Sequence, residues 1–388
     1  MNLPGWPRFS EEELKVVNEI LESGKVNYWT GNQGKLFEKE FSNFCDNKFS
    51  IVMANGSLAL SAAYLALGIK NGDEVITTPR TFIATSASAC LLNAKPKFAD
   101  VDFNSGCISP EFIKSLINQK TKAICVVHLA GWPCDMESIS RIAKDKRIYL
   151  IEDCSQAHGA QINGKSVGSF GDISIWSFCQ DKIISTGGEG GMLTTNSFEI
   201  YNKVWSFRDH GKTLDSIKVS KKSREFSFIH EKFGSNFRLT EIQSALGRIQ
   251  LSRIFETNKI RNRNANILYE ELSDVPCLRI PMPDKNLKHA WYKFYCYIKK
   301  DYLRDSWNRE LILNEINKEG YPAFSGGCSE IYLEKCFTLN NLQPMNRLKN
   351  ASILGETSLM FLVHNTIDEI QMRKYAKLIK KILLKASK

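Results

Sequence analysis

The feature that most constrains the fold of this chain is a series of seven short runs, rich in β-branched and apolar residues, between residues 50 and 196. Several runs are continuously apolar, which is typical of strands that are covered on both faces. Longer helical or loop segments separate them, so the pattern predicts a large α/β domain with a mainly parallel, seven-stranded sheet. The runs are SIVMAN (50–55), EVITTP (74–79), KPKFADVD (95–102), KAICVVHLA (122–130), IYLIEDC (148–154), ISIWSFC (173–179) and GGMLTTN (190–196).

The composition becomes more polar after about residue 250, where KIRNRNANILYEEL (259–272) predicts a helix and HAWYKFYCYI (289–298) predicts a strand. We therefore expect a large domain over residues 1–250 and a smaller C-terminal α+β domain over residues 251–388. With 43% hydrophobic residues, the chain has enough apolar material for both cores. No repeat or low-complexity tract interrupts this organisation.

Composition also narrows the class of protein. MNLPGWPRFSEEEL lacks the pattern of a secretory signal, and no run reaches the roughly 18 to 20 apolar residues of a membrane span, so we expect a soluble, cytoplasmic protein. The 11 cysteines form no C-x-x-C pair, and several lie in apolar runs, such as Cys90 and Cys125, which favours reduced thiols.

A formal net charge of +10 admits an anionic partner, which could be nucleic acid, a membrane surface or a phosphorylated small molecule. Basic residues cluster in KVSKKSREF (218–226) and in KLIKKILLKASK (377–388). The second segment has apolar residues among its lysines, which favours an amphipathic closing helix over a membrane or nucleic-acid contact. We expect no nucleic-acid partner.

Polar residues follow the predicted strands at their carboxyl ends, where ligands of parallel sheets bind. We expect these residues to converge: Asn55-Gly56-Ser57, Thr81-Phe82, His128, Asp153, Ser177 and Lys182. In NGSLALSAAYLALGI, Asn55 and Gly56 form a turn and Ser57 is a suitable N-cap, so the helix start is a candidate phosphate site or an ordinary capped core helix. Glu152 and Asp153 point to opposite faces of a strand, so we do not expect them to act as a pair.

Lys182 lies between the apolar stretch that contains Phe178, Ile183 and Ile184 and the glycine cluster GGEGG (187–191). A lysine buried there loses its charge more easily and becomes a nucleophile toward aldehydes. A lysine with its head in water is the alternative, but the permissive glycine backbone favours a close ligand. The histidine spacing fits no zinc site, and no nucleotide-triphosphatase or esterase motif is present, so we expect no metal.

Together, these features resemble a pyridoxal phosphate enzyme of the aspartate-aminotransferase fold type, and more narrowly the DegT/DnrJ/EryC1/StrS family of nucleotide-sugar aminotransferases. The resemblance covers nearly the whole chain, because the family's segments stand in order. They are YWTGNQGKLFEKEF, ANGSLAL, DEVITTPRTFIAT, HLAGWPCDM, IEDCSQAHGA, VGSFGD, SFCQDKIISTGGEGGM, RDHGK and GSNFRLTEIQSALGRIQL.

The resemblance implies a role for each matching residue. Lys182 is the Schiff-base lysine, and Asp153 holds the pyridine nitrogen protonated so that the ring accepts electrons. The resemblance also implies that Gln156 bonds the ring hydroxyl and that Phe82 stacks on the ring face. The phosphate would be bound by the N–H groups of Ser57 and Leu58, by the Ser177 hydroxyl and by Asn236 of a neighbouring subunit. A homodimer with shared active sites follows. Tyr28, Trp29, Thr30 and Gly31 match a segment near the sugar site.

The resemblance further implies two half-reactions. L-glutamate leaves its amino group on the cofactor as pyridoxamine phosphate, and a keto-sugar linked to UDP, GDP or dTDP then accepts it; we expect a 4-keto-6-deoxy hexose destined for amino sugars of surface polysaccharide or lipopolysaccharide. Basic residues of RDHGK and KVSKKSR are candidates for binding the diphosphate. Phe178, Cys179, Gln180 and Asp181 depart from many relatives and leave the sugar open.

Four alternatives remain. A 3-keto-sugar aminotransferase differs only in the carbon aminated. A sugar dehydratase of the same fold has histidine in place of the lysine, and Lys182 argues against it. An amino-acid lyase lacks the sugar-family segments. A non-catalytic, cofactor-binding regulator would not need Lys182, Asp153 and Ser177.

Overall fold

The computed structural model of the chain describes residues 2–220 and 229–388, without the side chains of residues 218–220. Two large groups of strands and helices make up the fold. Its strands are β1 (Phe49–Met53), β2 (Glu74–Thr77), β3 (Lys95–Phe98), β4 (Thr121–Val127), β5 (Tyr149–Asp153), β6 (Gln161–Ile162), β7 (Lys165–Ser166), β8 (Ile173–Ser177), β9 (Gly191–Thr195), β10 (Leu278–Arg279), β11 (Leu287–Lys288), β12 (Phe294–Ile298) and β13 (Ser358–Phe361).

The helices cover the strands and connect them. They are α1 (Glu11–Ser23), α2 (Gln33–Phe44), α3 (Gly56–Ala66), α4 (Ala84–Cys90), α5 (Pro110–Leu116), α6 (Met136–Lys146), α7 (Phe198–Arg208), α8 (Leu214–Ser220), α9 (Glu241–Ser252), α10 (Ile254–Leu272), α11 (Arg309–Lys318), α12 (Lys335–Thr338), α13 (Lys349–Thr357) and α14 (Glu369–Ala386). None of the described helices is long and apolar enough to cross a membrane.

The seven predicted runs form one sheet with the strand order β1-β9-β8-β5-β4-β2-β3. Neighbours from β8 to β3 pair in parallel, whereas β9 pairs antiparallel with both β8 and β1. Six strands therefore point the same way, and their carboxyl ends meet at one edge. The α/β fold with a mainly parallel, seven-stranded sheet is confirmed, and its central strands are buried on both faces as their composition predicts.

The C-terminal part contains the sheet β10-β12-β13, with helix α10 and helix α14 packed beside it. The predicted closing helix is present as α14: Ile379, Ile382 and Leu383 are buried in the core next to α10, while the lysines between them face outward. Leu3 packs in this same core, and the Asn2 N–H donates to the Gly320 carbonyl at 2.9 Å. The division into domains at residue 250 stays a prediction.

One local prediction, the N-cap of α3, differs from the structure. The N-cap of α3 is Asn55, whose side chain accepts the Leu58 N–H at 2.9 Å, and Ser57 lies inside the first turn. Asn55 reaches back over the helix start because its own backbone is still extended, which is the geometry of an N-cap residue. All 11 cysteines are free thiols, as expected.

Candidate active site

A cavity of about 490 Å³ opens at the carboxyl ends of the central strands, bounded by the start of α3, the loop before α4 and the loop between β8 and β9. Seven of the eight residues expected to bind the cofactor line this cavity. They are Ser57, Leu58, Phe82, Asp153, Gln156, Ser177 and Lys182. The sheet topology explains this convergence, because parallel strands bring their carboxyl ends to one edge.

Lys182 projects from the loop between β8 and β9, and its side chain is only 16% exposed. Two backbone contacts hold the residue: its N–H donates to the Cys179 carbonyl at 3.0 Å, and its own carbonyl accepts the Trp6 indole N–H at 2.8 Å. The Nζ atom lies 3.5 Å from Asp181 Oδ1 and donates to Tyr292 Oη at 3.4 Å. The amine therefore stands at the cavity wall in a defined position.

Asp153 ends strand β5 and is 5% exposed. Its carboxylate accepts the Thr85 hydroxyl at 2.9 Å and the Ser155 N–H at 3.1 Å, and the Thr85 hydroxyl is in turn 2.9 Å from that of Thr81. No described lysine, arginine or histidine forms an ion pair with Asp153. A buried carboxylate without a cation is costly, so this one suits a positively charged ligand group.

The start of α3 presents hydrogen-bond donors to the same cavity. The Leu58 N–H is already bonded to its cap, Asn55, whereas the Ser57 N–H has no acceptor within the described ranges 2–220 and 229–388. The Ser177 Oγ accepts the Cys179 N–H at 3.3 Å, which leaves its own proton free to be donated. Gly191 allows this arrangement, because a Cβ there would lie 2.5 Å from the Asn55 carbonyl carbon.

Gln156 and Phe82 complete the lining. The Gln156 Oε1 accepts the Ala130 N–H at 2.7 Å, which turns its NH₂ group toward other acceptors. Phe82 is 69% exposed at the cavity rim, so its ring is available to a flat ligand. The cavity thus contains an unpaired carboxylate, an amine, phosphate donors at a helix start and an aromatic face, a set that fits a phosphorylated pyridine with an aldehyde.

Several expected residues lie elsewhere in the single chain. Asn236 does not line the cavity and pairs by its backbone with Asp209. Tyr28 is buried, with its hydroxyl donating to Glu38 at 3.0 Å, and Trp29 donates its indole N–H to Asp209 at 3.0 Å. Thr30 and Gly31 also lie outside the residues that line the cavity. Their place near the sugar stays a prediction.

The expected convergence of His128 with the site is wrong. His128 is fully buried, and its Nε2 lies 3.1 Å from Glu152 Oε2 on the opposite face of the sheet. Glu152 also accepts the N–H groups of Gly168, Phe170 and Gly171 at 2.8, 2.8 and 2.7 Å. Its four acceptor positions are occupied, so Glu152 anchors the loop from Gly168 to Gly171.

Two of the candidates for binding the diphosphate, Arg208 and Lys212, are paired with carboxylates of the same chain. Arg208 is fully buried and donates to Glu38 at 3.0 Å, so it does not face the cavity. Lys212 pairs with Asp209 at 3.2 Å. Of KVSKKSR (218–224), residues 221–224 lie outside the described residues, as do the side chains of 218–220.

The sequence did not predict that Lys293, Arg261 and His158 lie in the region of Lys182. Burial lowers the pKa of Lys293 to about 8 and that of Arg261 to about 10, and it lowers the pKa of His158 to about 3 with help from Lys182 and Arg261. It also missed Tyr292, which HAWYKFYCYI presents only as one residue of a strand. No local pattern signals these residues, because they meet Lys182 from distant parts of the chain.

The sequence matches the DegT/DnrJ/EryC1/StrS aminotransferase family over residues 7–372. It is 33% identical to the GDP-perosamine synthase of Vibrio cholerae over 86% of this chain and 89% of that protein. It is 37% identical to the dTDP-3-amino-3,6-dideoxy-alpha-D-galactopyranose transaminase of Aneurinibacillus thermoaerophilus over 76% of this chain and 77% of that protein.

The fold is also similar to a solved structure, that of the aminotransferase from Psychrobacter cryohalolentis. The two chains have 45% sequence identity and a TM-score of 0.97, with 99% of each chain covered. The similarity therefore includes the sheet, the C-terminal part and the loops that surround the cavity.

Proposed function

Since the chain belongs to the DegT/DnrJ/EryC1/StrS aminotransferase family, we propose that it transfers the amino group of L-glutamate to a nucleotide-linked keto-sugar, with pyridoxal phosphate as cofactor. The observation that carries the proposal is that one cavity contains both a buried carboxylate without a cationic partner, Asp153, and the amine of Lys182. A cofactor with a basic ring nitrogen and an aldehyde needs these two groups.

The residues that would hold the cofactor follow from their contacts. Asp153 would hold the ring nitrogen, Gln156 would offer its NH₂ group to the ring hydroxyl, and Phe82 would cover the ring face. The Ser57 N–H and the Ser177 hydroxyl would donate to the phosphate, with Asn236 of a second subunit as a further contact in a homodimer. Leu58 would contribute to the lining, since its N–H is used by Asn55. When bound, the cofactor supplies a reactive aldehyde and an electron-accepting ring.

Lys182 is the group that moves the proton. Its Nζ removes the α-proton of glutamate in the first half-reaction and delivers a proton to the sugar carbon that receives the amino group in the second. A single positioned base of this kind contributes about 10² to 10⁴-fold to the rate. Its low exposure keeps bulk water from exchanging the proton during transfer.

The acceptor we propose is a 4-keto-6-deoxy hexose on GDP, dTDP or UDP. A 3-keto sugar is the alternative, favoured by the 37% identity to a transaminase named for a 3-amino sugar. A sugar dehydratase of this fold is less consistent with the site, because an amine occupies position 182.

The test is a two-stage reaction. The purified protein, loaded with cofactor, is treated with L-glutamate, freed of it, and then mixed with one keto-sugar nucleotide at a time while the visible spectrum of the cofactor is recorded. We expect glutamate to abolish the original spectrum and one sugar nucleotide to restore it, with the amino sugar identified by mass spectrometry.

Lys182→Ala is the first variant for this assay. We expect it to lose the glutamate-dependent spectral change completely, because the base is absent, while its thermal unfolding stays close to that of the wild type. Turnover by this variant would refute the role of Lys182. Conversion by glutamate without a response to any sugar nucleotide would point to another carbonyl acceptor.

A further inference from the structure

Lys182, Asp181 and Tyr292 form a closed cluster at the cavity wall. Lys182 Nζ lies 3.5 Å from Asp181 Oδ1 and 3.4 Å from Tyr292 Oη. The Tyr292 hydroxyl donates in a short bond to Asp181 Oδ2. Each group thus contacts the other two, with the lysine donating, the tyrosine accepting and donating, and the carboxylate accepting.

The two partners of the amine come from different parts of the fold. Asp181 precedes Lys182 on the loop between β8 and β9, lines the cavity, and has a side chain that is 56% exposed. Tyr292 is buried and lies 110 residues further along the chain, between β11 and β12. Its N–H donates to the Ala130 carbonyl at 2.9 Å, and Ala130 also donates to Gln156. A backbone hydrogen bond to Ala130 therefore helps to hold Tyr292 beside the amine.

Asp181 supplies a negative charge next to the positive charges of Lys182 and Lys293. Burial alone would raise the pKa of Asp181, but Lys182, Tyr292 and Lys293 together hold it below its usual value, so the carboxylate is ionised at neutral pH. Burial and the Asp181 charge raise the pKa of Tyr292 well above its usual value, so the phenol keeps its proton.

Among the described residues, the other charged or titratable groups near Lys182 do not offset its positive charge. Lys293 and Arg261 are cations, and His158 is neutral because burial, Lys182 and Arg261 lower its pKa to about 3. Asp181 is the only carboxylate among the groups that interact with Lys182 in the described part of the chain.

We propose, on the basis of the function proposed above, that Asp181 and Tyr292 are positioning residues that hold the Lys182 amine at the cavity wall, where it takes up and releases a proton. The carboxylate stabilises the ammonium that forms when Nζ takes a proton, and the phenol fixes its direction.

The first measurement needs no catalysis. The full-length protein without cofactor is labelled with trace acetic anhydride over a pH series, and acetylation of Lys182 is quantified by peptide mass spectrometry relative to the exposed lysines. Only the neutral amine reacts. In Asp181→Asn we expect Lys182 to react at lower pH than in the wild type, with labelling at pH 7.5 increased about 10-fold or more, since a contact with a charged partner is lost.

Two further variants make the test specific. Asp181→Glu keeps the charge and should restore labelling toward the wild type. Tyr292→Phe should increase labelling by a smaller factor. The matched control is Tyr295→Phe, which removes the hydroxyl of a half-buried tyrosine, one that accepts the Gly327 N–H at 2.9 Å, and should leave Lys182 labelling unchanged.

A second measurement uses the enzyme with its cofactor. We expect Asp181→Asn to lower kcat of the glutamate half-reaction about 10 to 100-fold and to change KM by less than about threefold, because the lost contact acts on the proton-carrying amine.

The outcomes separate the two proposals. Unchanged Lys182 labelling in a folded Asp181→Asn protein would overturn the positioning role, whatever the activity. A shifted labelling profile in a protein whose wild type does not react with glutamate would support the cluster and refute the proposed function.

Discussion

Glu152 and Asp153 are adjacent in β5, yet their side chains lie on opposite faces of the sheet and do different work. Glu152 is saturated by three backbone N–H groups and His128, so it stabilises the loop from Gly168 to Gly171. Within the described part of the chain, the Asp153 carboxylate accepts one hydroxyl and one N–H and forms no ion pair, which leaves its charge available to a ligand. A one-residue difference on a strand thus separates a carboxylate whose acceptors are all occupied from one that lines the candidate site.

Asp153→Asn tests that distinction. The amide is nearly the same size but has no charge to stabilise a protonated ring nitrogen, so we expect cofactor binding to persist and the glutamate half-reaction to slow by about 10²-fold or more. Cofactor content is read from absorbance and the rate from stopped-flow spectroscopy. Thr85→Val, which removes only the hydroxyl that orients Asp153, should have a smaller effect, and a near-normal rate in Asp153→Asn would contradict the assignment.

His158 makes the fold sensitive to acid. Burial, Lys182 and Arg261 lower its pKa from 6.5 to about 3, and neither ring nitrogen has a hydrogen-bond partner among the described residues. Because the pKa of His158 is lower in the folded protein, the unfolded chain binds one more proton than the folded protein between pH 6.5 and 3. The folded protein therefore keeps its full stability above pH 6.5 and loses part of it as the pH falls.

The variant His158→Phe measures this loss. From the two pKa values, His158 should cost the folded state about 2 kcal/mol at pH 5 relative to pH 7. Phe would keep the ring contacts with Trp176 and Phe178 without the titration. Urea unfolding at both pH values should show that the wild type loses about 2 kcal/mol more than the variant; equal losses would contradict the buried, neutral histidine.

At the element scale, the N-terminus of helix α2 is capped by a side chain of another helix, α9. Its N-cap residue, Asn32, makes no side-chain hydrogen bond to the helix. Glu241, in the first turn of α9 and 1% exposed, instead accepts the N–H groups of Gln33 at 2.5 Å and Gly34 at 3.0 Å. A carboxylate at a helix start also interacts favourably with the helix dipole. Glu241 therefore fixes α2 and the preceding Tyr28–Gly31 segment to α9.

Glu241→Gln should weaken this junction. The substitution removes the charge and places an NH₂ group against one of the two N–H donors, so we expect a loss of about 1 to 3 kcal/mol in the free energy of unfolding. Thermal unfolding measures it, with Glu199→Gln as the control, because Glu199 is an exposed first-turn acid paired only with Lys203. A Tm decrease no larger than that of the control would show that α2 does not depend on Glu241.

At the scale of the whole molecule, one chain does not assemble every expected contact. Asn236 and the segment Tyr28–Gly31 lie outside the cavity lining, whereas Phe82 at the rim is largely exposed. These observations are consistent with a site completed by a second copy of the chain, as the family resemblance implies. The N-terminal segment adds a contact within the chain, since Trp6 joins Lys182 to the region of Arg261 and His364.

Subunit mixing tests the shared site. Lys182→Ala and Asn236→Ala are each expected to be inactive or strongly impaired, yet a hybrid dimer contains one site with an intact Lys182 and an intact Asn236. If subunits exchange randomly in an equal mixture, half of the dimers are hybrids with one good site each, so activity should rise to about one quarter of the wild type. A mixture that is no more active than its components would place Asn236 outside the partner's site.

The sequence by itself determined the seven strands of the main sheet, the helices α10 and α14, and several of the strand-end residues that line the cavity, because apolar runs mark buried strands and polar residues at their ends must meet at one edge. It did not determine the true N-cap of α3 or the position of His128, since one residue of register decides which face a side chain occupies.

Only the tertiary structure shows that Tyr292 contacts Lys182, that Glu241 caps helix α2 and that Trp6 donates to the lysine carbonyl. It also shows that Arg208 pairs with Glu38 and does not face the cavity. These contacts join residues far apart in the chain, and nothing in the local sequence encodes a partner that distant. Periodicity and strand ends follow from local rules, whereas the electrostatics of a site depend on which distant charges the folded chain packs around it.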